Sequence, residues 1–160
     1  MTYFSLRSEE SRYVPPGSVV ETRSQGHGVA VIIHNRKMHA AFAGNFPDSN
    51  PEELESMIRE AVTNFPDPED VDIYVAGYCG SENPDNHDSN IDGRTAVPKL
   101  LREHGFFDSN MYVRWGEPST STHLQLDVDT SEGMLVVIRE DQCSQRILYR
   151  GDVQNAPNLM

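Results

Sequence analysis

The chain has 160 residues, the size of one domain with its own hydrophobic core. Its 25 acidic and 13 basic residues give a formal net charge of −12, which repels nucleic-acid backbones and anionic membranes, so neither is an expected partner. No apolar run approaches the roughly 20 residues of a membrane-spanning helix, and the first ten residues do not have the pattern of a signal peptide, so we expect the cytoplasm as the location. Two cysteines, Cys79 and Cys143, are too few for a disulfide framework.

The first part of the chain predicts strands. Residues 1–14 are expected to form a polar arm, and a Pro-Gly turn ending at Gly17 leads into a strand near Ser18–Thr22. Val29–Ile33 is a short, β-branched apolar run, which is typical of a buried strand. Met38–Phe42 is expected to return antiparallel to it through a short turn.

An amphipathic helix is predicted from Pro51 onward. Proline suits the first helical position, and Glu52 and Glu53 favour the positive end of the helix dipole. Apolar residues then recur at helical spacing and predict one buried stripe. The stripe consists of Leu54, Met57, Ile58, Ala61, Val62 and Phe65. Pro66 ends the helix.

The second part of the chain predicts a strand over Val71–Ala76, a long polar loop from Gly77 to about Asp92, and a second helix over residues 94–104. Further strands are expected over Met111–Trp115, His123–Val128, Met134–Ile138 and Arg146–Tyr149, and a loose tail over residues 151–160. This order predicts a single α/β domain over residues 15–150. Its expected form is a layered sandwich with a mixed, mostly antiparallel sheet and two main amphipathic helices.

The polar loop contains the candidates for catalysis. Cys79 directly follows a predicted strand, and a cysteine becomes a nucleophile when a base lies nearby. His27 and His87 are the candidate bases. The surroundings are acidic, which disfavours the reactive thiolate, so a structural cysteine is the simpler interpretation.

Other polar residues are candidates for binding. The run Asp88–Gly93 is similar to the opening of a calcium loop, but Lys99 stands where the bidentate glutamate should be. We therefore expect no metal and no other cofactor, and interpret the run as a turn that caps the second helix. The binding candidates are Asp85, Asp88, Ser119 and Thr120.

Several short motifs, taken in order, resemble the chemoreceptor glutamine deamidase (CheD) family over roughly residues 15–138. They are Pro16-Gly17-Ser18-Val19-Val20, Gly26-His27-Gly28-Val29-Ala30-Val31, the return strand from Met38 to Pro47, Gly77-Tyr78-Cys79, Ile91-Asp92-Gly93-Arg94, Gly105-Phe106, and Asp129–Gly133 followed by Met134-Leu135-Val136-Val137. The resemblance implies a three-layer α/β fold shared with the cytotoxic necrotizing factor deamidases. It also implies hydrolysis of a glutamine side-chain amide by a cysteine nucleophile, a histidine base and a supporting threonine.

Most of the catalytic residues that this resemblance implies are missing. Thr22 falls at the threonine position, but Gly28 stands at the cysteine position and Ala43 at the histidine position, four residues before Pro47. Glycine and alanine can act neither as nucleophile nor as base. We expect Gly28 and Ala43 to lie close together across one antiparallel pair, with Thr22 nearby, as a vacant site.

Three functions remain open at this point, and an enzyme is not the favoured one. The first is a catalytically degenerate CheD-like domain that binds another protein in chemotaxis, where the acidic charge favours a basic partner. The second is a cysteine-dependent protein-glutamine deamidase or amidohydrolase whose nucleophile has moved to Cys79, with His27 or His87 as the base. The third is an acidic inhibitor or immunity protein that neutralises a basic toxin.

Overall fold

The computed structural model describes residues 1–25, 28–46, 51–77, 96–115, 120–140 and 145–156. Ten strands within these residues form two five-stranded sheets. Sheet A contains, in spatial order, β1 (Thr2–Leu6), β3 (Ser18–Gln25), β8 (Thr120–Asp127), β9 (Gly133–Glu140) and β10 (Gln145–Asp152). Sheet B contains, in spatial order, β2 (Ser11–Val14), β5 (Ala40–Phe46), β4 (Val29–Asn35), β6 (Val71–Gly77) and β7 (Met111–Trp115).

Both sheets are mixed and mostly antiparallel. In sheet A only β1 and β3 run parallel among the described strands, and in sheet B only β6 and β7 do. The predicted layered α/β sandwich with mixed, mostly antiparallel strands is therefore confirmed. The strands divide into two sheets, an arrangement that the sequence did not predict.

Two helices cover the face of sheet B that points away from sheet A. Helix α1 spans Pro51–Asn64, and the described part of α2 spans residues 96–103. Ile58 of α1 and Leu101 of α2 are fully buried in one apolar cluster with the outward residues of sheet B. The layers are therefore helices, sheet B and sheet A. Among the described residues, no helix is both long and apolar enough to cross a membrane.

The predicted stripe of α1 is buried at five of its six positions. The buried members are Leu54, Met57, Ile58, Ala61 and Phe65. Val62 is 38% exposed, so its expected burial is wrong. Each helical residue turns by about 100°, and the step from Ala61 to Val62 carries the side chain away from the sheet.

A second apolar cluster fills the space between the two sheets. Sheet B contributes Ala30, Ile32, Ala41, Ala43, Tyr74 and Ala76, and sheet A contributes Val20, Leu124, Leu126, Leu135 and Val137. The central strands of sheet B are thus buried on both faces, by helices on one side and by sheet A on the other. This explains why the first five residues of β4, Val29–Ile33, are continuously apolar and do not alternate.

The structure differs from the sequence-based expectation at both ends of the chain. The expected polar arm at residues 1–14 is β1 and β2, which are edge strands of the two sheets. The expected loose tail includes the end of β10, and beyond it Val153 and Ala156 are buried between the sheets. Edge strands expose one face and one edge to water, so their composition is polar and resembles that of an arm.

Candidate functional site

One end of the sandwich brings together strand ends of both sheets, and we call it the site end. In sheet B, Val29 of β4 pairs with Phe46 of β5 and with Gly77 of β6. In sheet A, the last residue of β3, Gln25, pairs with Ser121 of β8. Gly28 immediately precedes Val29, so the position where the resemblance implies a cysteine belongs to the site end.

Two buried threonines of sheet A face sheet B near the site end. Thr22 pairs with Leu124, and Thr122 lies two residues before Leu124, so all three side chains point to the same face. Leu124 belongs to the cluster between the sheets. Thr22 and Thr122 are at most 2% exposed, and neither hydroxyl has a hydrogen-bond partner among the described residues. The otherwise apolar interior between the sheets therefore contains two hydroxyl groups in this region.

Asn45 of β5 links the two sheets beside these threonines. Its side-chain Nδ2 donates a hydrogen bond to the backbone carbonyl of Arg23 on β3. Its backbone N–H donates to the carbonyl of Glu10, and its carbonyl accepts from the N–H of Glu9, each at 2.9 Å. Asn45 thus joins β5, β3 and the turn between β1 and β2. No candidate role was given to it from the sequence, and only its place near the end of the return strand could have indicated it.

The two positions where the resemblance implies the cysteine and the histidine do not lie beside each other: Gly28 immediately precedes β4, and Ala43 is on β5. In the antiparallel pairing of β4 with β5, Ala43 lies opposite Ile32. Gly28 precedes Ile32 by four residues, an offset of about 13 Å along the strand at about 3.3 Å per residue. The expected closeness of Gly28 and Ala43 is therefore wrong. Asn45 lies two residues further along β5 and pairs with Ala30, so it is closer to Gly28 than Ala43 is.

Ala43 occupies a packing position. Its side chain is fully buried in the cluster between the sheets, together with Ile32, Ala41 and Tyr74. Protein interiors are packed about as densely as organic crystals, so an imidazole ring at this position would have to displace these neighbours. Proton transfer to a solvent-borne substrate is not available to a residue in this environment.

Most of the other candidates lie outside the described residues: Cys79, His27, His87, Asp85, Asp88 and Ser119. Thr120 is described; it begins β8, pairs with Arg139 of β9, and is buried. Within the part of the chain that the structure describes, no group of three His, Cys, Asp or Glu side chains could hold a metal ion.

An acidic groove lies beside the turn between β1 and β2, against α1. Its volume is about 580 Å³, and it is lined by Leu6, Glu9, Glu10, Ser11, Arg12, Glu53, Ser56, Met57 and Glu60. The one arginine of this lining, Arg12, is held over the ring of Phe4 at 3.6 Å, and its Nε donates to the carbonyl of Tyr13. The lining thus contains four carboxylates, of Glu9, Glu10, Glu53 and Glu60, and one guanidinium, which already contacts Phe4 and Tyr13. The excess of carboxylates gives the groove a negative potential that favours the binding of cationic groups.

Comparisons with known proteins do not identify a family for the chain. No family model matches it, and no curated protein matches it. Solved structures do match, and one of them is the crystal structure of the Bacillus licheniformis hypothetical protein YfiH. The TM-score is 0.44 at 11% sequence identity, over 64% of this chain and 49% of that protein. The chain thus spans about half the length of YfiH.

Proposed function

We propose that the chain is a catalytically degenerate CheD-like domain that acts as a protein-binding module. The burial of Ala43 carries the proposal, because a fully buried alanine stands where the family resemblance implies the base. Gly28, at the implied nucleophile position, has no side chain. Losing either group should remove covalent catalysis. Thr22 stands where the resemblance implies the supporting threonine, and its buried position on β3 suits a scaffold that binds without turnover.

The partner that we propose is a basic protein. The net charge of −12 attracts cationic surfaces over a distance, and the four glutamates of the acidic groove offer a local binding surface for them. Lysine or arginine side chains of a partner would approach Glu53 and Glu60 on α1 and Glu9 and Glu10 in the neighbouring turn. An inhibitor of a basic toxin is the special case in which this partner is the toxin.

The test compares two variants of equal net charge. The groove variant replaces Glu9, Glu10, Glu53 and Glu60 by glutamine, and the control variant carries Glu69→Gln, Glu103→Gln, Glu132→Gln and Asp108→Asn, all at exposed positions outside the groove. Each immobilised protein captures partners from a lysate of the native host, and dissociation constants are then measured for the purified partner. We expect a partner that the groove variant binds about tenfold or more weakly than the wild type and the control do. Equal loss in both variants would contradict the proposal.

A second candidate function is a cysteine-dependent amidohydrolase. The pairing of Val29 with Gly77 favours it, because the strand end that precedes Cys79 in sequence lies beside the strand start that follows His27 and Gly28. The deciding measurements are the alkylation rate of Cys79 by iodoacetamide near neutral pH and ammonia release from glutamine-bearing proteins.

Cys143→Ser is the matched control for Cys79→Ser in both measurements. The binding-module proposal predicts slow alkylation of Cys79 and no ammonia from any variant. Rapid alkylation of Cys79, with ammonia release that is lost in Cys79→Ser and kept in Cys143→Ser, would establish the second function instead.

A further inference from the structure

At the end of the sandwich opposite the site end, a buried histidine joins the two sheets. His34 of β4 is fully buried, and its Nε2 lies 2.9 Å from the carbonyl oxygen of Val128, which follows β8. A carbonyl oxygen can only accept, so Nε2 carries the hydrogen. The N–H of Val128 donates to the carbonyl of Ser18 on β3 at 3.1 Å. Val128 is therefore held by both sheets.

A second histidine makes a similar contact at the surface. His39, exposed in the turn between β4 and β5, has its Nδ1 3.1 Å from the carbonyl oxygen of Asp129. The two histidines thus connect the end of β4 and the turn that follows it to the turn between β8 and β9, at the consecutive residues Val128 and Asp129. They differ in burial, so His39 is a matched comparison for His34.

A second proton on the neutral ring of His34 would go to Nδ1, where the new N–H would have no acceptor among the described residues. Its Nδ1 is buried and has no hydrogen-bond partner among the described residues. Asp72 lies opposite His34 in the pairing of β4 with β6, but its carboxylate accepts a hydrogen bond from the Arg36 guanidinium. Burial lowers the pKa of His34, and this effect outweighs the raising effects of the Val128 carbonyl and of Asp72.

We propose that His34 is a proton-operated latch: a proton taken from solvent by Nδ1 releases the β8–β9 turn from the β4–β5 turn while the rest of the sandwich stays folded. In the open form the hydrogen bond from Nε2 to the Val128 carbonyl is broken, the Val128 N–H separates from the Ser18 carbonyl as the turn moves, and the imidazolium becomes hydrated. The charged and titratable groups around the ring are Asp72 on β6, Arg36 and His39 in the β4–β5 turn, and Asp129 in the β8–β9 turn.

The direction of the pH dependence follows from the two forms of His34. In the open form the ring has its ordinary pKa of about 6.5, and in the closed form its pKa is lower. The closed form therefore has its full stability above about pH 6.5 and loses stability as the pH falls below that value. The equilibrium constant for opening rises by up to about tenfold per pH unit. Burial raises the pKa of Asp72, so Asp72 favours the closed form at low pH and acts in the opposite direction.

Amide hydrogen exchange measured between about pH 7.5 and 5.5 tests the latch. After correction for intrinsic exchange, protection of the Val128 amide should fall by up to about tenfold per pH unit below about 6.5, while that of Ile73 in the centre of β6 stays constant. His34→Gln keeps a donor for the Val128 carbonyl but cannot titrate, so it should abolish this dependence, and His39→Gln should preserve it. Constant protection of Val128 in the wild type, or a pH dependence that survives His34→Gln, would overturn the proposal.

If His34→Gln fails to fold, a measurement on the wild-type chain still tests the latch. Nitrogen chemical shifts of the His34 ring report both its tautomer and its titration. We expect the Nε2–H tautomer at neutral pH, and a titration midpoint below 6.5 that coincides with the loss of Val128 protection. The Nδ1–H tautomer, or a midpoint at or above 6.5, would refute the latch.

Discussion

Buried polar atoms without partners mark both ends of the interface between the sheets. Near the site end these atoms are the hydroxyls of Thr22 and Thr122. At the other end they are Nδ1 of His34 and the hydroxyl of Ser18. None of the four has a hydrogen-bond partner among the described residues. An unpartnered buried polar group costs about 1–3 kcal/mol relative to one that is satisfied. These residues are therefore the places where single substitutions are most informative.

Thr122→Val should leave the free energy of unfolding unchanged or raise it. Valine has nearly the shape of threonine, and the substitution removes a buried hydroxyl that has no partner among the described residues. Urea denaturation checks this, with Thr63→Val as control, because the hydroxyl of Thr63 donates to the carbonyl of Arg59. A loss of about 1 kcal/mol or more at Thr122 would show that its hydroxyl has a partner after all.

Ala43→His should destabilise the fold without creating activity. The added ring must enter the packed cluster between the sheets, which costs about 1–3 kcal/mol or more. The double variant Gly28→Cys, Ala43→His should release no ammonia, because the two positions are offset by about 13 Å along the strands. Ala96→His, at an exposed position of α2, is the control and should change stability by no more than about 0.5 kcal/mol. Ammonia release by the double variant would instead support the prediction that Gly28 and Ala43 lie close together as a vacant catalytic site.

At the scale of elements, the packing of α1 against β5 shows how the outer face of sheet B is buried. Helix α1 packs along β5, and the ring of Phe42 on β5 contacts that of Phe65 with centroids 5.4 Å apart. All seven residues of β5 are buried. The helix therefore contributes to stability mainly through the residues of its stripe that reach this surface.

Ile58→Ala and Val62→Ala form a matched pair on α1. Ile58 is fully buried, so its truncation should lower the free energy of unfolding by about 2–5 kcal/mol. Val62 is 38% exposed, so its truncation should cost well under about 1 kcal/mol. Denaturant titration of both variants checks the difference. Equal losses would mean that the helix is rotated from the orientation described.

At the scale of the whole molecule, repulsion among the excess negative charges lowers the stability of the folded state. A net charge of −12 repels itself more strongly in the folded chain than in the expanded one. The acidic groove gathers part of this charge on one surface. Screening by salt should therefore stabilise the fold.

Raising NaCl from about 0.01 M to about 1 M shortens the screening length from about 30 Å to about 3 Å and should raise the melting temperature. The Gln variant of the four groove glutamates should have a smaller salt dependence, because it removes a cluster of like charges. Differential scanning calorimetry provides the measurement. A melting temperature that falls with salt in the wild type would show that attractive ion pairs dominate.

Local sequence was sufficient for most of the elements. The apolar run at Val29–Ile33 and the helical spacing from Pro51 onward identify β4 and α1, since periodicity and terminal residues act over a few neighbours. The same logic failed at residues 1–14, because a polar edge strand and a polar arm have similar composition.

The sequence by itself determined the acidic charge, the strand and helix order from Ser18 onward, and the absence of functional side chains at Gly28 and Ala43. Only the tertiary structure decided that the strands form two sheets, that Gly28 and Ala43 are offset, and that His34 meets Val128, 94 residues later in the chain. Strand register and contacts between sheets depend on side chains that are distant in sequence and pack together only in the fold. Local patterns therefore identified the elements, and packing between distant segments placed the polar residues on which the proposals depend.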